Sequence, residues 1–153
     1  MMTNSFIVVG DNVDYLGILA NQLRENISLL PPDQPQLAKA VLATQTGVME
    51  VLVVVRGHEN PHTHPDADLI FVLLEGSGWL QRSAQPDPKT DIEIPQGCTV
   101  VVPKGTCHAF HNTSDTDSVL LATFSPATPK ASDGCASTAA DSLADTRTVA
   151  PTE

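Results

Sequence analysis

The chain divides by the rhythm of its apolar residues. Tyr15, Leu16, Ile18, Leu19, Leu23 and Ile27 recur at steps of three and four, the period of an amphipathic helix. Asp11, Asn12 or Asp14 is placed to cap its start, and Pro31, Pro32 and Pro35 force an irregular link after it. From Leu37 to Phe124 the rhythm changes to short apolar runs broken by Gly, Pro and Asn/Ser/Asp clusters. Segments 41–46 and 48–56 flank Gly47, and segments 69–75 and 78–82 flank Gly76-Ser77; both read as hairpins. Segments 91–94, 99–102, 107–112 and 118–124 follow. Seven to nine short strands at this spacing predict an all-β sandwich or barrel. Segments 51–55 and 69–74 are apolar at every position, so both faces are expected to be covered. One face would line the barrel. The other would meet a second sheet or a second subunit, and this surplus predicts a homodimer.

From Ser125 onward the composition shifts to Ala, Ser, Thr, Asp and Pro, with Leu143 and Val149 as the only large aliphatics. Such a segment buries too little apolar surface to offset its ordering entropy. The expected organisation is therefore a helix and linker over 1–36, a barrel over 37–126 and a flexible tail over 127–153. A short helix over 136–144 is the one element the tail's pattern allows.

At 153 residues and 41% hydrophobic content, one domain with a real core is expected. The formal charge of −10 argues against nucleic acid and anionic membrane as partners, because phosphate binding needs a basic patch. No apolar run approaches the roughly 20 residues of a membrane-spanning helix. The first twelve residues lack a basic region and a long apolar stretch, so no secretory signal is expected. The three cysteines, Cys98, Cys107 and Cys135, show no paired zinc-type spacing. Their number fits a reducing, cytoplasmic setting without a disulfide framework, with Cys98 and Cys107 as small buried residues.

Four of the five histidines fall in two groups. In the first, His62-Thr63-His64 places two imidazoles on one side of an extended segment, because side chains alternate with period two. Alone, this pair is a weak signal, and a solvated loop pair accounts for it equally well. The second group is a Pro103-Lys104-Gly105 turn leading into a strand that opens near His108. Two imidazoles on one face can grip one metal ion, and the turn fixes where His108 enters its strand.

These two groups resemble the paired motifs of the cupins. Gly97, Pro103, Gly105, His108 and Asn112 match the second motif at every fixed position, and Gly57, His62, His64 and Gly76 match most of the first. The resemblance covers roughly 41–124 and implies a cupin double-stranded β-helix (jelly-roll) barrel with a metal at its mouth. Four residues, not five, separate Gly57 from His62. The family's metal-binding Glu position, with four residues between it and His64 and six between it and Gly76, holds Leu69. Asp68 is one residue earlier and would face the opposite side of a strand, so either Leu69 or Asp68 points inward; Leu69 is the expected one.

A site of His62, His64 and His108 alone leaves the ion's +2 charge uncompensated. That favours an anionic chelating substrate (a carboxylate, enolate or thiolate). It also leaves room for a bidentate substrate beside dioxygen, as in non-haem iron oxygenases. The resemblance therefore implies a mononuclear Fe(II) dioxygenase acting on a small acid, thiol or diketone. Zn, Mn, Ni and Cu also suit imidazole. A redox-neutral isomerase, lyase or cyclase, or a non-catalytic small-ligand-binding cupin, is compatible with the same residues. Leu69, Phe71, Trp79 and Phe110 are the candidates to contact substrate, although core packing explains the aromatics too. His111 has the opposite parity to His108 and is expected on the outer face; His58 is expected as a solvated loop residue. Glu50 points either into the barrel or to solvent.

Overall fold

Alternation along the strands determines which side chains meet inside. In β2 (Met49–Val55), Val51 and Val55 face the barrel interior, while Leu52 and Val54 face the other way. In β4 (Asp68–Glu75), Leu69, Phe71 and Leu73 point inward. The architecture is that of a computed structural model describing residues 9–44, 47–126, 131–135 and 147–149. The helix expected over 136–144 falls outside these residues.

One helix, α1 (Val9–Ser28), precedes the strands. Asp11, Asn12 and Asp14 lie within its first turns and not ahead of it, so the helix starts earlier than the capping signals suggest. Among the described residues no helix is long and apolar enough to cross a membrane. The remaining strands are β1 (Gln36–Ala43), β3 (His62–Thr63), β5 (Gly78–Gln81), β6 (Ile92–Ile94), β7 (Thr99–Val102), β8 (Ala109–Asn112), β9 (Ser118–Ser125), β10 (Ser132–Asp133) and β11 (Arg147–Val149). A six-stranded sheet runs in the order β1-β2-β9-β4-β7-β11, a three-stranded sheet β6-β5-β8 faces it, and β10 pairs with β3.

The main core lies between the two larger sheets. Val51, Leu69, Phe71, Leu73, Leu120, Ala122 and Phe124 from the large sheet meet Leu80, Ile94 and Phe110 from the small one. A second cluster lies outside the large sheet, where Leu19, Ala20, Leu23 and Ile27 of α1 cover Leu52, Val54 and Val119. Burying each such aliphatic side chain contributes about 1.5–3 kcal/mol. The apolar outer face that predicted a second subunit is thus covered largely by the chain's own helix. Arg56 ties this layer to the barrel, donating to the carbonyls of Ile27 (2.7 Å), Pro31 (2.6 Å) and Gln34 (2.9 Å).

Three expectations need correction. Strands β4 and β5 do not form a hairpin. Gly76-Ser77 carries the chain from one sheet to the other, since β4 pairs with β7 and β9, and β5 with β6 and β8. Gly76 has φ +99°, and a Cβ there would lie 2.5 Å from Ser118 Oγ, so the crossing requires glycine. Two short pieces of the expected tail join the barrel: Ser132 and Asp133 pair with Thr63 and His62, and Arg147–Val149 pairs with β7. Backbone pairing at a strand edge does not need the apolar content that the composition argument weighed. Finally, Cys107 is not a free buried thiol. It is joined to Cys135 in a disulfide, with Cα atoms 5.7 Å apart, while buried Cys98 stands outside that bond.

Candidate metal centre

Backbone pairing assembles the three histidines. The N–H of His62 donates to the carbonyl of His108 (3.1 Å), and the N–H of His108 donates back to His62 (3.0 Å). The Pro103-Lys104-Gly105 turn closes through the Thr106 N–H on the Pro103 carbonyl (3.1 Å), and the Gly105 N–H then donates to the carbonyl of His64 (2.9 Å). Gly105 has φ +78°, which explains why the motif needs glycine there. The two motifs are therefore hydrogen-bonded to each other on both sides of the site.

One ring nitrogen from each of His62, His64 and His108 lies within 4.8 Å of the others. The residues are 9%, 8% and 2% exposed, so the rings are sheltered without the centre being sealed. Two tautomers are fixed by neighbours. His62 Nδ1 lies 2.7 Å from the Asn60 carbonyl and His108 Nδ1 lies 2.9 Å from the Thr106 carbonyl. A carbonyl only accepts, so both Nδ1 atoms donate, which leaves each Nε2 as the nitrogen that can face a metal. Burial holds the His108 imidazole well below its ordinary value, reinforced by His62 and His64 and opposed by its bond to Thr106. His108 is thus a neutral imidazole at physiological pH, the form that binds metal. The donor set fits a divalent transition metal: three imidazoles, two of them oriented by carbonyls.

The centre opens into a cavity of about 400 Å³. Its polar end holds the three histidines, Glu59 and Asn60, and its body is lined by Val51, Val53, Leu69, Phe71, Phe110, Leu120, Ala122 and Phe124. Gln34, Pro35 and Gln36, from the link between α1 and β1, also line it. Leu69 points inward, 5% exposed, beside the triad. Asp68 is exposed and accepts the Lys104 N–H at 2.9 Å, capping the turn that delivers His108. Phe71 and Phe110 line the cavity, but Trp79 does not. Its neighbour Leu80 takes the inward position of β5, so Trp79 faces out and stacks on His111, with ring centres 3.7 Å apart. His111 is on that outer face, as parity predicts, with Nε2 2.9 Å from Gln81 Oε1, and His58 is an exposed loop residue stacked on its other side. Glu50 shares the outward parity of Leu52 and Val54, with Thr123 Oγ1 3.5 Å from its carboxylate.

The sequence reading missed Glu59. It lines the cavity three residues before His62, and its Oε1 accepts the Phe110 N–H at 2.9 Å. Burial pushes its carboxyl above the usual range, while His62 and the Phe110 N–H pull it down. The available signal was an acid between His58 and His62.

Residues 34–148 match the cupin family, and the chain belongs to it. An uncharacterized protein of Aquifex aeolicus (strain VF5) is 37% identical over 79 residues, which is 52% of this chain and 60% of that relative's length. Among solved structures, an uncharacterized conserved protein with a double-stranded β-helix domain from Klebsiella pneumoniae subsp. pneumoniae MGH 78578 superposes with a TM-score of 0.57 at 14% identity. It covers 69% of this chain and 89% of its own. Oxalate oxidase in complex with the substrate analogue glycolate superposes with a TM-score of 0.56 at 20% identity, covering 67% of this chain and 56% of that one. At these identities the two structures speak for the fold.

Proposed function

We propose that His62, His64 and His108 hold one divalent metal ion, Fe(II) first among the candidates, and that the protein is a non-haem dioxygenase acting on a small chelating acid, thiol or diketone. The observation that carries this reading is a buried triad of imidazoles with Leu69, and no carboxylate, at the fourth position. Bound there, such an ion supplies Lewis-acid polarisation of a chelated anion and, when it is iron, redox chemistry with dioxygen. The chain's own residues set what can bind. No Lys or Arg occurs among the described cavity-lining residues. The substrate's anionic groups therefore belong at the triad, and its remainder is apolar and small enough for about 400 Å³. Glu59 offers an acceptor to a hydroxyl or amide N–H at the polar end of the cavity. Phe71 and Phe110 shape its apolar body and exclude water.

The homodimer belongs to the same proposal. Ile70, on the outer face of β4, is 43% exposed. Elemental analysis of freshly purified protein, followed by oxygen uptake with Fe(II) and a panel of chelating acids, thiols and diketones, tests the function. Uptake that depends on both iron and one substrate class supports it. Turnover without oxygen consumption points to a redox-neutral enzyme, and saturable binding without turnover to a ligand-binding cupin.

A further inference from the structure

The disulfide lies against the candidate metal centre, and its partners are unusual in where they come from. Cys107 is fully buried and directly precedes His108. Cys135 is 28 residues further along the chain, beyond β9 and just after β10. Between them, Ser132 and Asp133 pair with Thr63 and His62, the Gly134 N–H donates to the Pro61 carbonyl at 2.9 Å, and Ala131 lines the cavity. Segment 131–135 thus forms a strap along the first histidine strand, fastened by its disulfide to the residue next to the third histidine.

A two-residue ladder is too short to hold such a segment by itself. Ordering each residue costs backbone entropy that two or three hydrogen bonds barely offset. A cross-link changes this by confining the segment near its docking edge. We propose that Cys107–Cys135 is a thiol–disulfide site that fastens the 131–135 strap beside the metal centre, and that reduction by a dithiol releases it and opens the centre. The inference rests on the reading of the triad as a metal site. The step balances simply. A dithiol passes two electrons and two protons to the sulfur atoms of Cys107 and Cys135, the protein S–S bond breaks, two thiols form, and the dithiol closes to its own cyclic disulfide. In an oxidising compartment the strap stays fastened; in a reducing one the bond forms transiently, as in redox-sensing proteins.

The test uses full-length protein purified without reductant, beside Cys135→Ala and Cys107→Ala. Cys135 is only partly buried, so its alanine variant keeps the test valid even if Cys107→Ala folds poorly. Three measurements are made: free thiols in denaturant, hydrogen exchange of 131–135 and 61–64 in metal-free protein, and the rate at which EDTA removes Zn(II) from zinc-loaded protein. The expected result is one free thiol in the wild type, Cys98. In Cys135→Ala, exchange of both segments and zinc loss should each be faster by about tenfold or more. Three free thiols in the wild type would overturn the proposal, as would unchanged exchange or unchanged zinc loss in Cys135→Ala. Failure of all forms to retain zinc would instead sink the metal reading, while the exchange data still decide whether the disulfide fastens the strap.

Discussion

His62 and His108 exchange both backbone hydrogen bonds, at 3.1 and 3.0 Å, and their rings lie 4.3 Å apart, centre to centre. The pairing makes the geometry of one residue depend on that of the other, so the triad responds as a unit. Replacing His62, His64 or His108 singly by Ala is expected to lower Zn(II) or Fe(II) occupancy at micromolar metal by about tenfold or more. The β-rich circular dichroism spectrum should be retained, because backbone pairing does not require the rings. Full occupancy in the triple variant would remove the assignment.

The neighbour of this pair at the missing fourth position is Leu69, inward and 5% exposed. Leu69→Glu should add a carboxylate to the donor set and lower the charge of the loaded centre by one. Affinity for Mn(II) and Fe(II), read by competition with a chromophoric chelator, should rise by roughly tenfold, since carboxylate suits these ions. Without metal the new carboxyl is buried near imidazoles and apolar walls, so the metal-free variant should lose about 2–4 kcal/mol. Unchanged metal affinity with the same loss of stability would mean that the side chain cannot reach the ion.

How far the site could be read in the sequence follows from what each residue depends on. The histidines were legible because they stand at the fixed positions of the family's paired motifs, which strand alternation and a Pro-x-Gly turn make physically sensible, and the same motif spacing singled out Leu69 rather than Asp68. Trp79 was misplaced because a four-residue strand gives little alternation to count, and Leu80 and Trp79 compete for the interior on nearly equal terms. The Gly76-Ser77 crossing looks like a hairpin turn in the sequence. Only the partners of β4 and β5 reveal that the chain changes sheets there. Glu59 and the Cys107–Cys135 bond depend on contacts between distant segments, with Glu59 held by Phe110 and Cys135 brought back beside the centre. No spacing rule records such contacts.

Arg56 links the outer helix to the cavity, because its three carbonyl partners end with Gln34, next to the cavity-lining Pro35 and Gln36. Arg56→Met keeps the apolar stem and removes the donors. Urea unfolding should show a loss of about 2–3 kcal/mol, because three carbonyls lose a charged partner. Binding of any cavity ligand should weaken as the 34–36 link loosens. A loss below about 0.5 kcal/mol would show that water replaces the guanidinium without cost.

His111, outside the metal centre, gives a pH signature. It stacks between Trp79 and His58, and burial, together with the nearby His58, lowers its pKa from the ordinary 6.5, with Asp91 pulling the other way. The unfolded chain therefore takes up this proton at a higher pH than the folded protein does. Below about pH 6.5 the unfolded state gains stability from protonation while the folded state does not, so the contribution of His111 is fully present above that pH and is lost as pH falls towards the lowered folded value. His111→Gln cannot titrate. Stability measured by urea unfolding in EDTA, which removes metal as a variable, should fall less steeply between about pH 7 and pH 5 in the variant than in the wild type. The lost stack on Trp79 shifts the variant's whole curve without changing its slope, so only the slope difference reports the titration. Parallel curves would show that His111 binds its proton equally well folded and unfolded, and that the stack leaves it as solvated as a free imidazole.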